Sequence, residues 1–185
     1  RPDGADDSTR TILGSHYAGN TVAVEGSYDG QNVVASGVLI DPLDVLVAGH
    51  YADSVSIFQI YSGANAYSPT ASSGIQNVVI YPDYNGTGNT PDIAIVHLSS
   101  PIGNTTLNLT PVTSGDMLTL TGFGYHGTPS TGLSFDGSLR AWQGTIDNNG
   151  MPGNISSLYY DNINFSTFSS PMPGLMESSS SGGGV

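Results

Sequence analysis

The sequence predicts an all-β fold, and three observations carry that prediction. Two apolar runs, Val38-Leu39-Ile40 and Val45-Leu46-Val47, flank Asp41-Pro42-Leu43-Asp44. Pro and Asp favour the turn and β-branched residues the strands, so the segment reads as a tight hairpin with a buried face. Six strand-length segments lie in the first hundred residues, none with a 3.6-residue periodicity, as expected of a small antiparallel barrel. Finally, 25 Gly and 11 Pro at 37% hydrophobic content suit a loop-rich β protein better than a helical one.

Taken in order, residues 1–19 read as an N-terminal arm, an extended strand or a solvated tail, with Asp3, Asp6 and Asp7 among Gly, Ser and Thr. Thr21 to Gly26 alternates as a strand, and Tyr28-Asp29-Gly30-Gln31 supplies a turn. Asn32 to Ala35 leads into the hairpin, whose second strand ends in Ala48-Gly49 and delivers His50. Ser54 to Tyr61 alternates polar and apolar over a full strand. Ile75 to Tyr81 is a further strand, closed by Pro82-Asp83. Tyr84 to Pro91 is a polar loop, and Asp92 opens the strand Asp92-Ile93-Ala94-Ile95-Val96-His97-Leu98. A first β-barrel is therefore expected over 20–102, a linker over 103–116 and a second barrel over 117–185. In the second part, Met117 to Gly124 and Leu139 to Ile146 are strands around a Gly-rich loop, Gly127 to Gly137. Leu158 to Tyr160 and Ile163 to Phe165 suggest strand pieces, and no helix is expected anywhere.

Charge excludes several functions. The chain of 185 residues carries a net charge of −12, with three Arg and no Lys. Nothing is available to neutralise phosphates, so nucleic acid is not an expected partner. An anionic membrane surface is disfavoured for the same reason, and no apolar run of about twenty residues could span a bilayer. There is no cysteine, hence no disulfide and no thiolate chemistry. Low Lys with abundant Ser, Thr, Asn and Gly points to a secreted or extracellular protein. No metal and no cofactor is expected.

Three residues can be read together: His50 after an apolar strand, Asp92 before one, and Ser181 just ahead of three glycines. A hydroxyl nucleophile needs an imidazole to take its proton and a carboxylate to hold that imidazole's tautomer. The order His, Asp, Ser is one in which such a triad occurs. His97 alternates with Ile93 and Ile95 and is read as structural, whereas His16 and His126 lie in loops without an evident partner.

These residues sit in recognisable contexts. Ser36-Gly37-Val38-Leu39-Ile40 to Ala48-Gly49-His50 resembles the "SGxLI…TAAH" segment of chymotrypsin/trypsin-like serine proteases. Asp92 to Leu98 resembles their "DIALLxL", Gly122-Phe123-Gly124 their "GWG", and Ser181-Gly182-Gly183-Gly184-Val185 the end of their "GDSGGPV". The resemblance implies a chymotrypsin-like double β-barrel, its second barrel incomplete at the C-terminus, and serine endopeptidase activity on a polypeptide substrate. It assigns His50 as general base, Asp92 as its orienter and Ser181 as nucleophile. The oxyanion hole would be the backbone N–H groups of Ser179 and Ser181.

Two departures accompany the likeness. The family's "GDS" is here Ser179-Ser180-Ser181, so the carboxylate that pairs with a freshly cut N-terminus in trypsin-like enzymes is missing. Cleavage after Arg10, freeing Thr11-Ile12-Leu13-Gly14, is therefore not the expected activation step. A non-Gly residue at 179 also strains the oxyanion loop if that position needs φ > 0, at a cost of about 1–3 kcal/mol. The second departure is that family members continue beyond the nucleophile through strands that build the specificity pocket. These features feed a rival reading, a catalytically inactive homologue acting as a binding module. A third is a secreted β-sandwich adhesin, which predicts His50 and Asp92 far apart.

Overall fold

A computed structural model describes residues 7–86, 90–103, 105, 111, 116–128, 130–146 and 163–164. Six strands form a closed antiparallel barrel: β1 (Thr21–Tyr28), β2 (Gln31–Asp41), β3 (Asp44–Val47), β4 (Ser56–Ser62), β5 (Ala71–Ile80) and β6 (Ala94–Leu98). Their spatial order is β1-β2-β3-β6-β5-β4, with β4 returning to β1. Two hairpins start it. Asp29 and Gly30 both have positive φ, 49° and 76°, which is the backbone twist a two-residue hairpin loop demands. At the second, the Leu43 N–H donates to Asp41 Oδ1 (3.2 Å), and Asp41 pairs with Asp44 across the turn.

Alternation decides which side chains fill the barrel. Val45 and Val47 of β3, and Ala94, Val96 and Leu98 of β6, point inward to meet Val22, Val24, Leu39, Ile60 and Ile102. The intervening Asp44 and His97 pair with each other on the outer surface, so His97 is structural as read from the sequence. β1 breaks the alternation, because Thr21, Val22, Ala23 and Val24 are all buried. The reason is a second layer on its outer face, where Ala23 packs with Phe123 and Leu139.

That layer contains β7 (Met117–Gly122), β8 (His126–Thr128), β9 (Gly132–Ser134), β10 (Arg140–Ile146) and β11 (Ile163–Asn164). Among the described residues they form an open three-stranded sheet, β11-β10-β7, and the hairpin β8-β9. Short polar bonds register the two halves. Thr21 and Thr121 hydroxyls lie 2.6 Å apart, the Phe123 N–H donates to Ser36 Oγ (2.8 Å), and the Tyr17 hydroxyl donates to Thr119 Oγ1 (3.1 Å).

Three expectations need correction. The N-terminal arm holds a helix, α1 (Ser8–Ser15), rather than an extended or solvated tail. Its Ser/Thr-rich sequence is a weak helix former, so tertiary contacts must supply the stability. Gly14 rides directly on β10: a Cβ there would lie 2.3 Å from the Leu139 carbonyl oxygen. Asp7, the residue preceding the helix, gives its carboxylate to Arg140 instead of capping α1. The Gly-rich loop from 127 to 137 contains the β8-β9 hairpin, whose three-residue strands carry no sequence period long enough to register. Lastly, a second helix, α2 (Gly49–Ser54), begins where the sequence suggested a strand end, and His50 lies in its first turn. The strand pieces read at 158–160 and at residue 165, and the tail from Glu177, lie outside the described residues.

Arg140 binds these pieces together. It is 2% exposed, and four of its five N–H donors are hydrogen-bonded. Nε donates to Asp7 Oδ2 (2.8 Å), which also lies 2.6 Å from Nη2 as an ion pair, while Nη1 and Nη2 grip the Asp136 carboxylate (2.9 and 2.8 Å). The remaining Nη1 hydrogen goes to the Ser138 carbonyl (3.2 Å). Burying a lone guanidinium costs several kcal/mol, which the two carboxylates offset. His126, read as a loop residue without partner, lies 3.3 Å from Ser134 Oγ and 3.7 Å from Asp136.

Candidate active site

Strand pairing alone brings His50 to Asp92. β3 and β6 run antiparallel, with Val47 opposite Ala94. Counting outward from that pair sets Ala48 against Ile93 and Gly49 against Asp92. Ala48 stays extended (φ −67°, ψ 135°), and the chain then turns into α2. A side chain at position 49 would crowd this junction, since its Cβ would meet Ile93 N at 3.0 Å and Asp92 Oδ1 at 3.1 Å. The small Ala48-Gly49 step therefore lets the two chain segments close on each other.

Asp92 uses both oxygens on one residue. Oδ1 accepts the His50 backbone N–H (2.7 Å), and Oδ2 lies 2.6 Å from His50 Nδ1. An ionised carboxylate is an acceptor only, so Nδ1 carries the proton and the neutral ring's Nε2 is left as an acceptor. The His50 side chain is 50% exposed and that of Asp92 32%, so the ring's far edge is open to an incoming group. Asp53 follows one helical turn after His50. The nearby Tyr84 phenol titrates above its ordinary value, through partial desolvation first and the charges of Asp92 and Asp53 second.

Of the residues singled out in the sequence, His50 and Asp92 meet, which removes the ground for the adhesin reading. Ser179 and Ser181 lie outside the described residues. Sequence reading missed Tyr51, beside His50 in the chain, whose one hydroxyl proton is shared between the backbone carbonyls of Val24 (3.0 Å) and Val33 (3.2 Å). No periodic signal marks a side chain that acts by such a single polar tip. No group of three or more His, Cys, Asp or Glu residues able to hold a metal occurs among the described residues.

Comparison with known proteins agrees with this architecture. A solved structure of GrC superposes with a TM-score of 0.66 at 18% identity, covering 91% of this chain and 78% of the other. An HL collagenase aligns with a TM-score of 0.56 at 16% identity, covering 80% of this chain and 64% of its own. The drosophila Grass clip serine protease of the Toll pathway aligns with a TM-score of 0.54 at 15% identity, over 70% of this chain and 44% of its own. The chain thus spans 44% to 78% of the lengths of these three proteins. No curated protein matches it by sequence. The family model for Trypsin matches residues 14–156, most of the chain, and carries both His50 and Asp92 within the match. With a closed six-stranded barrel, a partial second one packed on its β1 face and that match, the chain belongs to the trypsin family.

Proposed function

We propose that this chain is a serine endopeptidase in which His50, Asp92 and Ser181 act as a triad. The observation that carries the reading is the doubly bonded Asp92, which holds the Nδ1–H tautomer and leaves Nε2 facing outward. In the first step Ser181 Oγ bonds to the carbonyl carbon of the substrate, and its proton passes to His50 Nε2. The C–N bond then breaks as the imidazolium returns that proton to the leaving amine. Water enters by the same route: its oxygen bonds to the acyl carbon, His50 takes its proton, and Ser181 leaves with that proton restored. Asp92 stabilises the imidazolium in both halves without itself being protonated.

The backbone N–H groups of Ser179 and Ser181 would face the developing oxyanion. One such donor is worth about 10²–10³ in kcat. The strands of residues 20–102 and 117–185 are read as the two barrels between which the substrate lies. Low Lys with abundant Ser, Thr, Asn and Gly supports a secreted enzyme, and membership of the trypsin family supports a polypeptide substrate.

A fluorophosphonate probe tests the proposal. The folded protein should be labelled at Ser181; Ser181→Ala should abolish labelling, and His50→Ala should slow it by several orders of magnitude. A folded protein that takes no label would instead be an inactive homologue, and Ser179-Ser180 in place of the family's Gly-Asp would be the first place to look.

A further inference from the structure

We infer that Tyr51 is the positioning residue that sets the orientation of His50, by locking the roll of α2 about its own axis. The inference rests on the proposed triad for its kinetic consequence, but not for its structural one.

Little within α2 itself holds it in place. α2 has six residues, fewer than two turns, and such a helix is unstable by itself. Its N-cap, Ala48, offers no side-chain acceptor. Backbone bonds from Ala52 N to Ala48 O (3.1 Å) and from Val55 N to Tyr51 O (2.9 Å) close its turns without tying them to the barrel. The chain has no cysteine, so no disulfide can anchor the segment.

Beyond the two His50–Asp92 bonds and the packing of Ala52 on the barrel core, three contacts hold it. At the start, Gly49 lies against the Asp92-Ile93 backbone. At the end, Val55 crosses β1 over Gly26, where a Cβ would be 2.3 Å from Val55 Cγ1. With Ala52 these two fix where the helix lies, but a methyl group on an apolar surface resists a roll of the helix only weakly. Tyr51 supplies the third contact, since its ring packs on the barrel core and its hydroxyl reaches carbonyls on both β1 and β2. Successive residues on a helix are about 100° apart, so any roll that swings the imidazole away from Asp92 must also drag the Tyr51 hydroxyl off those carbonyls. Burial first, and then the charge of Glu25, push the phenol's pKa well above the ordinary range, so the hydroxyl keeps its proton and remains a donor at neutral pH.

Tyr51→Phe keeps the ring and removes the oxygen. Tyr61→Phe is the matched control: it removes a phenol bond of the same barrel, to Glu25 (2.6 Å), that does not touch α2. Two readouts are made on the full chain. The first is the His50 tautomer, read from its ring ¹⁵N shifts, which needs no working nucleophile. The second is steady-state hydrolysis of a peptide ester. Tyr51→Phe is expected to convert a single Nδ1–H tautomer into a mixture and to lower kcat about tenfold with KM within about twofold. Tyr61→Phe is expected to lower thermal stability alone. The inference is overturned if Tyr51→Phe leaves the His50 shifts unchanged, or if both variants change them equally. If the wild-type protein proves inactive but its His50 shifts still respond to Tyr51→Phe alone, the positioning role stands and the hydrolase reading falls.

Discussion

Asp92→Asn separates orientation from folding more cleanly than any other change at the site. The carboxylate accepts from two donors of one residue, the His50 backbone N–H at 2.7 Å and the ring Nδ1–H at 2.6 Å. An amide has one oxygen and one NH₂, so only one of these bonds survives unaltered. If the amide oxygen faced Nδ1, the NH₂ would be driven against the backbone N–H, two donors head to head. The other orientation keeps both bonds: the oxygen accepts the backbone N–H, and the NH₂ donates to Nδ1. That choice forces the ring proton onto Nε2, where it blocks acceptance of the Ser181 proton. Stability should therefore fall by only about 1 kcal/mol, the scale of one exchanged hydrogen bond at a partly exposed site. The rate should fall by about 10⁴, or roughly 5.5 kcal/mol of transition-state stabilisation. Fluorophosphonate labelling rates, paired with thermal melts and His50 ¹⁵N shifts, measure all three quantities. Labelling within tenfold of wild type by a folded variant carrying the Nε2–H tautomer would refute the reasoning.

Two further outcomes concern the Arg140 cluster. The chain offers trypsin only arginines, at positions 1, 10 and 140; Arg1 precedes Pro2, Arg10 lies buried within α1 and Arg140 is buried on β10. Native protein should resist cleavage at Arg10-Thr11, and Asp7→Asn, by weakening the grip of Arg140 on the helix start, should raise the rate at that bond about tenfold or more; equal rates would mean that the ion pair does not hold the helix. The second outcome is a pH dependence. Asp136 has its pKa held well below the ordinary carboxylate range, chiefly by the hydrogen bonds from Arg140, with burial opposing. A depressed folded pKa contributes stability that is present above the unfolded value of about 4 and is lost as pH falls below it. Asp136→Asn should therefore cost about 1 kcal/mol at pH 7, modest because the side chain is partly solvated, and the gap from wild type should close as pH drops below about 4. A gap of constant size across that range would contradict the assignment.

Processing at Arg10 fits poorly with this arrangement on structural grounds as well. The helix that contains Arg10 is seated on β10 through Gly14 and tied to it through Asp7. Cutting there would split the helix between its two anchors, leaving Asp7 on one side of the break and Gly14 on the other.

The barrel was legible in the linear text because its information is local. Alternation such as Ala94-Ile95-Val96-His97-Leu98 states which side chain goes in, and Asp-Gly at 29–30 states where the chain reverses. The meeting of His50 and Asp92 was legible only through family likeness, yet it follows from register once Val47 is set opposite Ala94. The two helices could not be read, because neither is long or regular enough to hold itself together. Their existence depends on partners far along the chain: Leu139 and Arg140 for α1, Asp92 and the carbonyls of Val24 and Val33 for α2. The Asp7–Arg140 pair spans 133 positions, and no local pattern encodes a bond of that reach. Residue order thus wrote the strands, while the charge cluster, the short helices and the stance of the imidazole came from packing one layer on another.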